Sequence, residues 1–400
     1  MRKCLCLSFL FAAAAVASAQ SYSVVHSFGT GLDGSGPESA LVADAAGNLY
    51  GTTTYGGAAT FGTVFEIPAN GGEKILHNFS DNWDGANPNA GVIVDAAGNV
   101  YGTAKLGGDP NCGDIGCGVV FEITTAGTFK ALHIFKGGLD GGYPIGGLIR
   151  DGSGNLYGTA SGGGLGYGVI FRIDPSGHES VLYKFTGAPD GNAPITQLVR
   201  DSAGNLYGAT EWGGDLCNAV GCGVIFKLDR AGKETILYRF TGGPDGGQPG
   251  TGTLAVDAAG NLYGTTLYGG DQSCQFGVSP GCGVVYKLDA TGNETVLYSF
   301  HHDADGAIPW SGVVRDTKGN LFGTTVYGGN FAGSCANANA GCGTVFQLSP
   351  SGEETVLHTF QFSDGADPEG TLFFRNGYLY GTAVAGGTTK DSGVVFQLQP

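Results

Sequence analysis

The stretch Leu148-Ile149-Arg150-Asp151-Gly152-Ser153-Gly154-Asn155-Leu156-Tyr157-Gly158-Thr159 reads as a short hydrophobic strand, a four-residue turn and a second strand. Gly168-Val169-Ile170-Phe171-Arg172-Ile173 follows as a third strand. The turn Asp174-Pro175-Ser176-Gly177 then leads to a fourth, Val181-Leu182-Tyr183-Lys184-Phe185. Val, Ile, Tyr, Phe and Thr fill the strands, and Gly, Asn, Asp and Pro fill the gaps. The same unit occurs seven times. Its second-strand aromatic stands at Tyr50, Tyr101, Tyr157, Tyr207, Tyr263, Phe322 and Tyr380, with spacings of 50 to 59 residues. A repeat of this length is one supersecondary unit that cannot bury its own faces and must stack on its neighbours.

Four antiparallel strands per unit predict an all-β fold, a seven-bladed β-propeller of four-stranded blades. The ends of the chain complete the argument. Tyr22 to Phe28 has the pattern of a fourth strand, and Gly393 to Leu398 that of a third. Every blade has four strands only if the N-terminal strand pairs with the last blade, which also removes the open edges of a stack. Residues 20–400 are therefore expected to form a single propeller domain. In a meandering blade, the loops after the second and fourth strands emerge on one face. These loops hold Asp-Gly-x-x-Pro and nearly all length variation, so binding is expected on that face.

Residues 1–19 read as an export signal. Arg2 and Lys3 precede the apolar run Leu5 to Val16, and Ala17-Ser18-Ala19 is a small-residue cleavage site. No later stretch is apolar for long enough to span a bilayer, and the chain is expected to act in the periplasm or outside the cell, away from membranes. The chain carries 19 Lys and Arg against 35 Asp and Glu, a net charge of −16 that becomes about −18 once Arg2 and Lys3 leave. Such a balance repels nucleic acid, whose binding rests on neutralising phosphates. The expected state is a monomer.

Eight cysteines remain after the signal, in four close pairs: Cys112 with Cys117, Cys217 with Cys222, Cys274 with Cys282, and Cys335 with Cys342. An even number in an exported chain argues for disulfides. Zinc is the competing reading. It requires ligands from different repeats to converge, and these loops contain no histidine. Each ring is small, so the loop-entropy gain is roughly 2–3 kcal/mol apiece.

The units Asn48 to Ile67 (NLYGTTTYGG…GTVFEI) and Asn261 to Leu288 (NLYGTTLYGG…GVVYKL) resemble the bacterial GloVer (Gloeo/Verruco) tandem repeat across essentially the whole mature chain. The resemblance implies an exported, propeller-like protein, often with a C-terminal sorting anchor, which Val394 to Pro400 does not provide. It brings no catalytic residues or ligand to carry over.

Most recurrent residues have a structural role at hand. The loop aspartates Asp33, Asp84, Asp140, Asp190, Asp245, Asp305 and Asp364 suit an Asx-turn with Gly at positive φ, although a ring of carboxylates could also bind calcium. The Asp-x-x-Gly-Asn turns, such as Asp44 to Asn48, lack the spaced ligands and late Glu of a calcium loop. His26, His77, His133 and His358 share a slot with Tyr183, Tyr238 and Tyr298, so no metal site and no cofactor are expected.

The non-repeating aromatics are the candidate ligand-binding residues. They are Trp83, Trp212 and Trp310, joined by Tyr143 and by Tyr55, Tyr268 and Tyr327 just before Gly-Gly. Aromatics on a rigid rim suit stacking on sugar rings or gripping a peptide; the alternative is that they cover their own loops. The expected function is a binding or scaffolding module for an extracellular glycan or peptide, with no catalytic residues. Two other classes remain open. One is a carbohydrate-active hydrolase or lyase, with Glu211 and Asp215 flanking Trp212. The other is a purely structural repeat protein.

Overall fold

The computed structural model describes residues 20–29, 31–214, 216–217, 220–276, 279–387 and 391–400. The expected export signal and Asp215 lie outside the described residues. Seven antiparallel sheets of four or five strands follow one another along the chain, with a small two-stranded sheet, Gln275–Phe276 and Ser279–Pro280, beside them. The third copy shows the pattern: Ile149–Arg150, Leu156–Ala160, Val169–Ile173 and Glu179–Lys184 pair in chain order. The sheets form a seven-bladed β-propeller, and no α-helix occurs among the described residues.

Local chemistry accounts for each blade. The carboxylate of Asp151 accepts from the amides of Ser153 and Asn155, from the Asn155 side chain, and from the Tyr157 hydroxyl at 3.1 Å. One side chain thus closes the first turn and anchors the second-strand tyrosine. Asp44, Asp95, Asp201 and Asp257 do the same for Tyr50, Tyr101, Tyr207 and Tyr263. The glycine after each such aromatic is required by close approach. A Cβ on Gly51 would stand 2.6 Å from the Phe65 ring and 2.9 Å from Leu41.

The core lies between blades. Phe79, at the end of one blade's outer strand, meets Phe121 of the next blade edge-on, with ring centroids 5.5 Å apart. The same contact recurs at Phe135–Phe171, Phe185–Phe226, Phe240–Tyr286, Phe300–Phe346 and Phe360–Phe396. The seventh is Phe28–Phe65 at 5.3 Å. Each such pair adds about 0.5–1.5 kcal/mol beyond its buried area. Phe28 follows Ser21–Ser27, which pairs antiparallel with Val394–Gln399. The ring therefore closes through the two chain ends, and the closing joint has the same geometry as the other six.

Two features go beyond four strands per blade. Asn192–Pro194 pairs with Leu206–Trp212, and Gly247–Pro249 with Leu262–Tyr268, as short fifth strands. They arise because the Asp-Gly-x-x-Pro loop runs back along the end of the second strand. Elsewhere the same approach makes a single bridge, as at Ala307 and Tyr327. A 3-10 helix, Gly333–Asn339, carries Cys335 where strand patterning predicts only loop. All four neighbouring cysteine pairs are disulfides, Cys112–Cys117, Cys217–Cys222, Cys274–Cys282 and Cys335–Cys342.

Candidate functional site

The loop aspartate sets the geometry of the site. In blade 4, Asp190 accepts from the Thr186 amide at 3.0 Å and from the Tyr183 hydroxyl at 2.6 Å. The chain then reverses through Gly191 at φ 137° and Ala193 at φ 54° before Pro194. The residue before this proline has positive φ in every blade, at Gly36, Asn87, Tyr143, Ala193, Gln248, Ile308 and Asp367. Two left-handed residues and a proline turn the chain inward, so the next residue points to the propeller axis. Those next residues are Glu38, Asn89, Ile145, Ile195, Gly250, Trp310 and Glu369. All except Gly250 line a central cavity of about 360 Å³, within the range of small-ligand sites. A second ring comes from the ends of the second strands and contributes Lys105, Glu211 and Leu267 to the same cavity.

The cavity lining mixes polar and apolar side chains. Glu38 accepts a hydrogen bond from the Asn89 side-chain amide. Burial raises its carboxyl above the usual range, against hydrogen bonds from Asn89 and Thr54 and the charge of Lys105. Glu369 is pushed up to about 8 by burial, then by the charges of Glu38 and Asp367. Glu211 is raised by burial, opposed by a hydrogen bond from Trp212 and by Lys105. Asp367 goes up to about 6, first by burial and then by Asp391. The charge of Lys105 thus acts on two carboxyls, while burial and the neighbouring carboxylates hold Glu369 above the usual range. Gln197 is fixed by donating to the Leu148 carbonyl at 2.8 Å.

The seven aromatics singled out from the sequence do not form one patch. Trp310 lines the cavity, and Tyr268 and Tyr327 pack in the same hydrophobic cluster with Leu267. Trp212 stands next to Glu211 at the second strand's end, partly buried, and is not part of the cavity wall. Trp83 is 57% exposed and rests edge-on against Phe129 of its own blade's outer strand, 5.6 Å away. It precedes Asp-Gly and so lies at the outer end of the loop, whereas Trp310 follows the proline at the inner end. Tyr55 is exposed. Tyr143 packs with Cys112 and Cys117 between blades 2 and 3. The sequence reading missed Glu38, Asn89, Lys105 and Glu369. The signal was present, because the position after each proline changes in character from blade to blade while its neighbours repeat.

No curated protein sequence matches the chain. Among solved structures, it is similar to the virginiamycin B lyase from Staphylococcus aureus, with 13% identity and a TM-score of 0.60 over 95% of this chain and 99% of that one. It also matches a luciferin-regenerating enzyme, with 13% identity and a TM-score of 0.46 over 95% of each chain. At this identity the first likeness is one of fold. The model of the Gloeobacter/Verrucomicrobia repeat matches residues 11–116, 113–333 and 220–400. The repeat covers all seven blades, and the chain belongs to the Gloeobacter/Verrucomicrobia repeat family.

Proposed function

We propose that this protein is an exported binding propeller that takes a sugar unit of an extracellular glycan into its central cavity. The observation that carries the reading is the ring of post-proline residues, where the repeat places one Trp, two Glu and one Asn around a single axis. An indole face supplies the apolar platform for a sugar ring. Glu38, Glu369, Asn89 and Gln197 supply planar groups that accept from or donate to hydroxyls. Four disulfides fit an extracellular or periplasmic site of action, and no described helix is long and apolar enough to cross a membrane.

The test is a glycan array probed with protein lacking residues 1–19, followed by fluorescence titration of any hit. Trp310→Ala should weaken binding at least about tenfold, the loss of one or two good contacts. Trp83→Ala should bind as wild type. Equal affinity in both variants would place the ligand elsewhere.

A second reading is a carbohydrate-active enzyme. It is favoured by three partly buried carboxyls in one cavity, with that of Glu369 pushed up to about 8. Turnover of the bound glycan that vanishes in Glu369→Gln while binding persists would select it.

A further inference from the structure

At each joint between blades, three positions meet. They are the His or Tyr of one outer strand, the loop Asp that follows it, and a residue on the next blade's outer strand. In three joints a tyrosine fills the first position and its hydroxyl donates to the aspartate, as Tyr183 does to Asp190 at 2.6 Å and Tyr298 to Asp305 at 3.0 Å. In two others the third position is aromatic: Phe129 stacks on His77 at 4.1 Å, and Tyr22 on His358 at 3.7 Å. Only the joints of His26 and His133 combine histidine, aspartate and glutamate. At His133, Lys136 stands close enough to act on the imidazole, and its positive charge disfavours a cation there.

The His26 joint differs in the convergence of its three side chains, whereas an unpartnered imidazole nitrogen and glutamate oxygen also occur at His133 and Glu179. His26, Asp33 and Glu73 each bring one ligand atom within 4.8 Å of the others. His26 Nε2 is 3.9 Å from Asp33 Oδ2 and 3.8 Å from Glu73 Oε2, too far for a hydrogen bond to either. Both His26 Nε2 and Glu73 Oε1 are buried without a hydrogen-bond partner. The Glu73 side chain is only 10% exposed. A buried imidazole nitrogen without a partner, with the Glu73 carboxylate 3.8 Å away and its other oxygen also unpartnered, leaves a polar gap that is costly unless something fills it. Ligands around a tetrahedral ion with bonds of about 2.0–2.2 Å lie roughly 3.3–3.6 Å apart, within a small side-chain movement of the observed spacing.

We infer that His26, Asp33 and Glu73 bind a first-row divalent metal ion. An imidazole with two carboxylates suits zinc or manganese, whereas calcium takes six to eight oxygen ligands. The position gives the ion a role. His26 is on the closing strand Ser21–Ser27, Asp33 is on the loop that leads into blade 1, and Glu73 immediately precedes blade 1's outer strand, Lys74–Asn78. The ion ties the strand that closes the ring to the first blade.

The fold itself supplies the decisive variant. His26→Tyr recreates the joints of Tyr183, Tyr238 and Tyr298, so it should fold while losing the nitrogen ligand. Chelator-treated protein is titrated with zinc chloride by calorimetry and followed by thermal unfolding, with calcium chloride as a control. The expected result is one zinc per chain and a rise in Tm for wild type and His133→Tyr. His26→Tyr and Glu73→Gln should show at least a tenfold loss of zinc affinity and no zinc-dependent rise. The inference is overturned if wild type binds no zinc, or if His26→Tyr and Glu73→Gln bind and respond as wild type does.

Discussion

Single residues in this fold do one of two things, and substitution separates them. Gly51 leaves no room for a methyl group, since a Cβ would meet the Phe65 ring at 2.6 Å. Gly152 has open space around it and no left-handed backbone. Gly51→Ala should therefore destabilise by about 1–3 kcal/mol through overpacking, and Gly152→Ala should be neutral or stabilise by up to about 1 kcal/mol through the unfolded state. Urea unfolding of both variants checks the contrast. In Gly51→Ala with Phe65→Leu, the two costs should fall short of their sum, because the smaller side chain makes room for the methyl. The paired outcome tests whether the ring contact, rather than glycine's flexibility, keeps this position constant from blade to blade.

Among the elements, the closing strand carries the most weight for its length. Ser21–Ser27 supplies the outer edge of blade 7 through its pairing with Val394–Gln399, and it positions Phe28 against Phe65. The Tyr22 hydroxyl also donates to the Asp364 carbonyl at 2.6 Å. Removing residues 20–28 takes away a fully buried phenylalanine and one of the seven inter-blade ring pairs. The expected loss of several kcal/mol corresponds to a fall in Tm of roughly 5–10 °C. An unchanged melting curve in scanning calorimetry would mean that the ring is held without its closing strand.

At the scale of the whole molecule, the joints give the ring a pH dependence. Glu234, Glu294 and Glu354 are pushed up to about 7 by burial and then by Asp190, Asp245 and Asp305 across the joint. Glu73 rises to about 8 by burial and by Asp33, and Glu369 rises to about 8 in the cavity. Each folded value lies above the ordinary 4.5, so the folded state holds these protons more tightly than the unfolded chain. The resulting stability is full below pH 4.5 and is lost as pH rises through 7 to 8. The turn carboxylates oppose this at the acid end. Hydrogen bonds from Asn99 and Ala97 outweigh burial at Asp95 and lower it, and Asp44, Asp151, Asp201 and Asp257 are lowered likewise. Their contribution disappears as pH falls below about 4. Burial lowers His26, His77 and His133, which opposes the trend on the acid side, but the five raised glutamates outnumber them, so thermal unfolding of chelator-treated protein should give a higher Tm at pH 5.5 than at pH 8.5. A Tm that is flat or rising over that interval would contradict the raised glutamates.

The blade, its turns, the closure and the cysteine pairing were legible in the sequence because each rests on local pattern. Strand alternation, the Asp-x-x-Gly-Asn turn and the spacing of Cys112 and Cys117 need only nearby residues. The unmatched strands at the two ends fixed the ring by counting. What the repeat could not show is which side chains meet across blades. Glu38 and Glu369 are far apart in sequence and share a cavity only because ring closure brings blades 1 and 7 together. His26 looked interchangeable with Tyr183 because they occupy the same slot. Its chemistry depends on Glu73 of the next blade, where His77 finds Phe129 instead. Local pattern specified the blade, whereas the chemistry of the axis and the joints is set by neighbours that only the closed ring supplies.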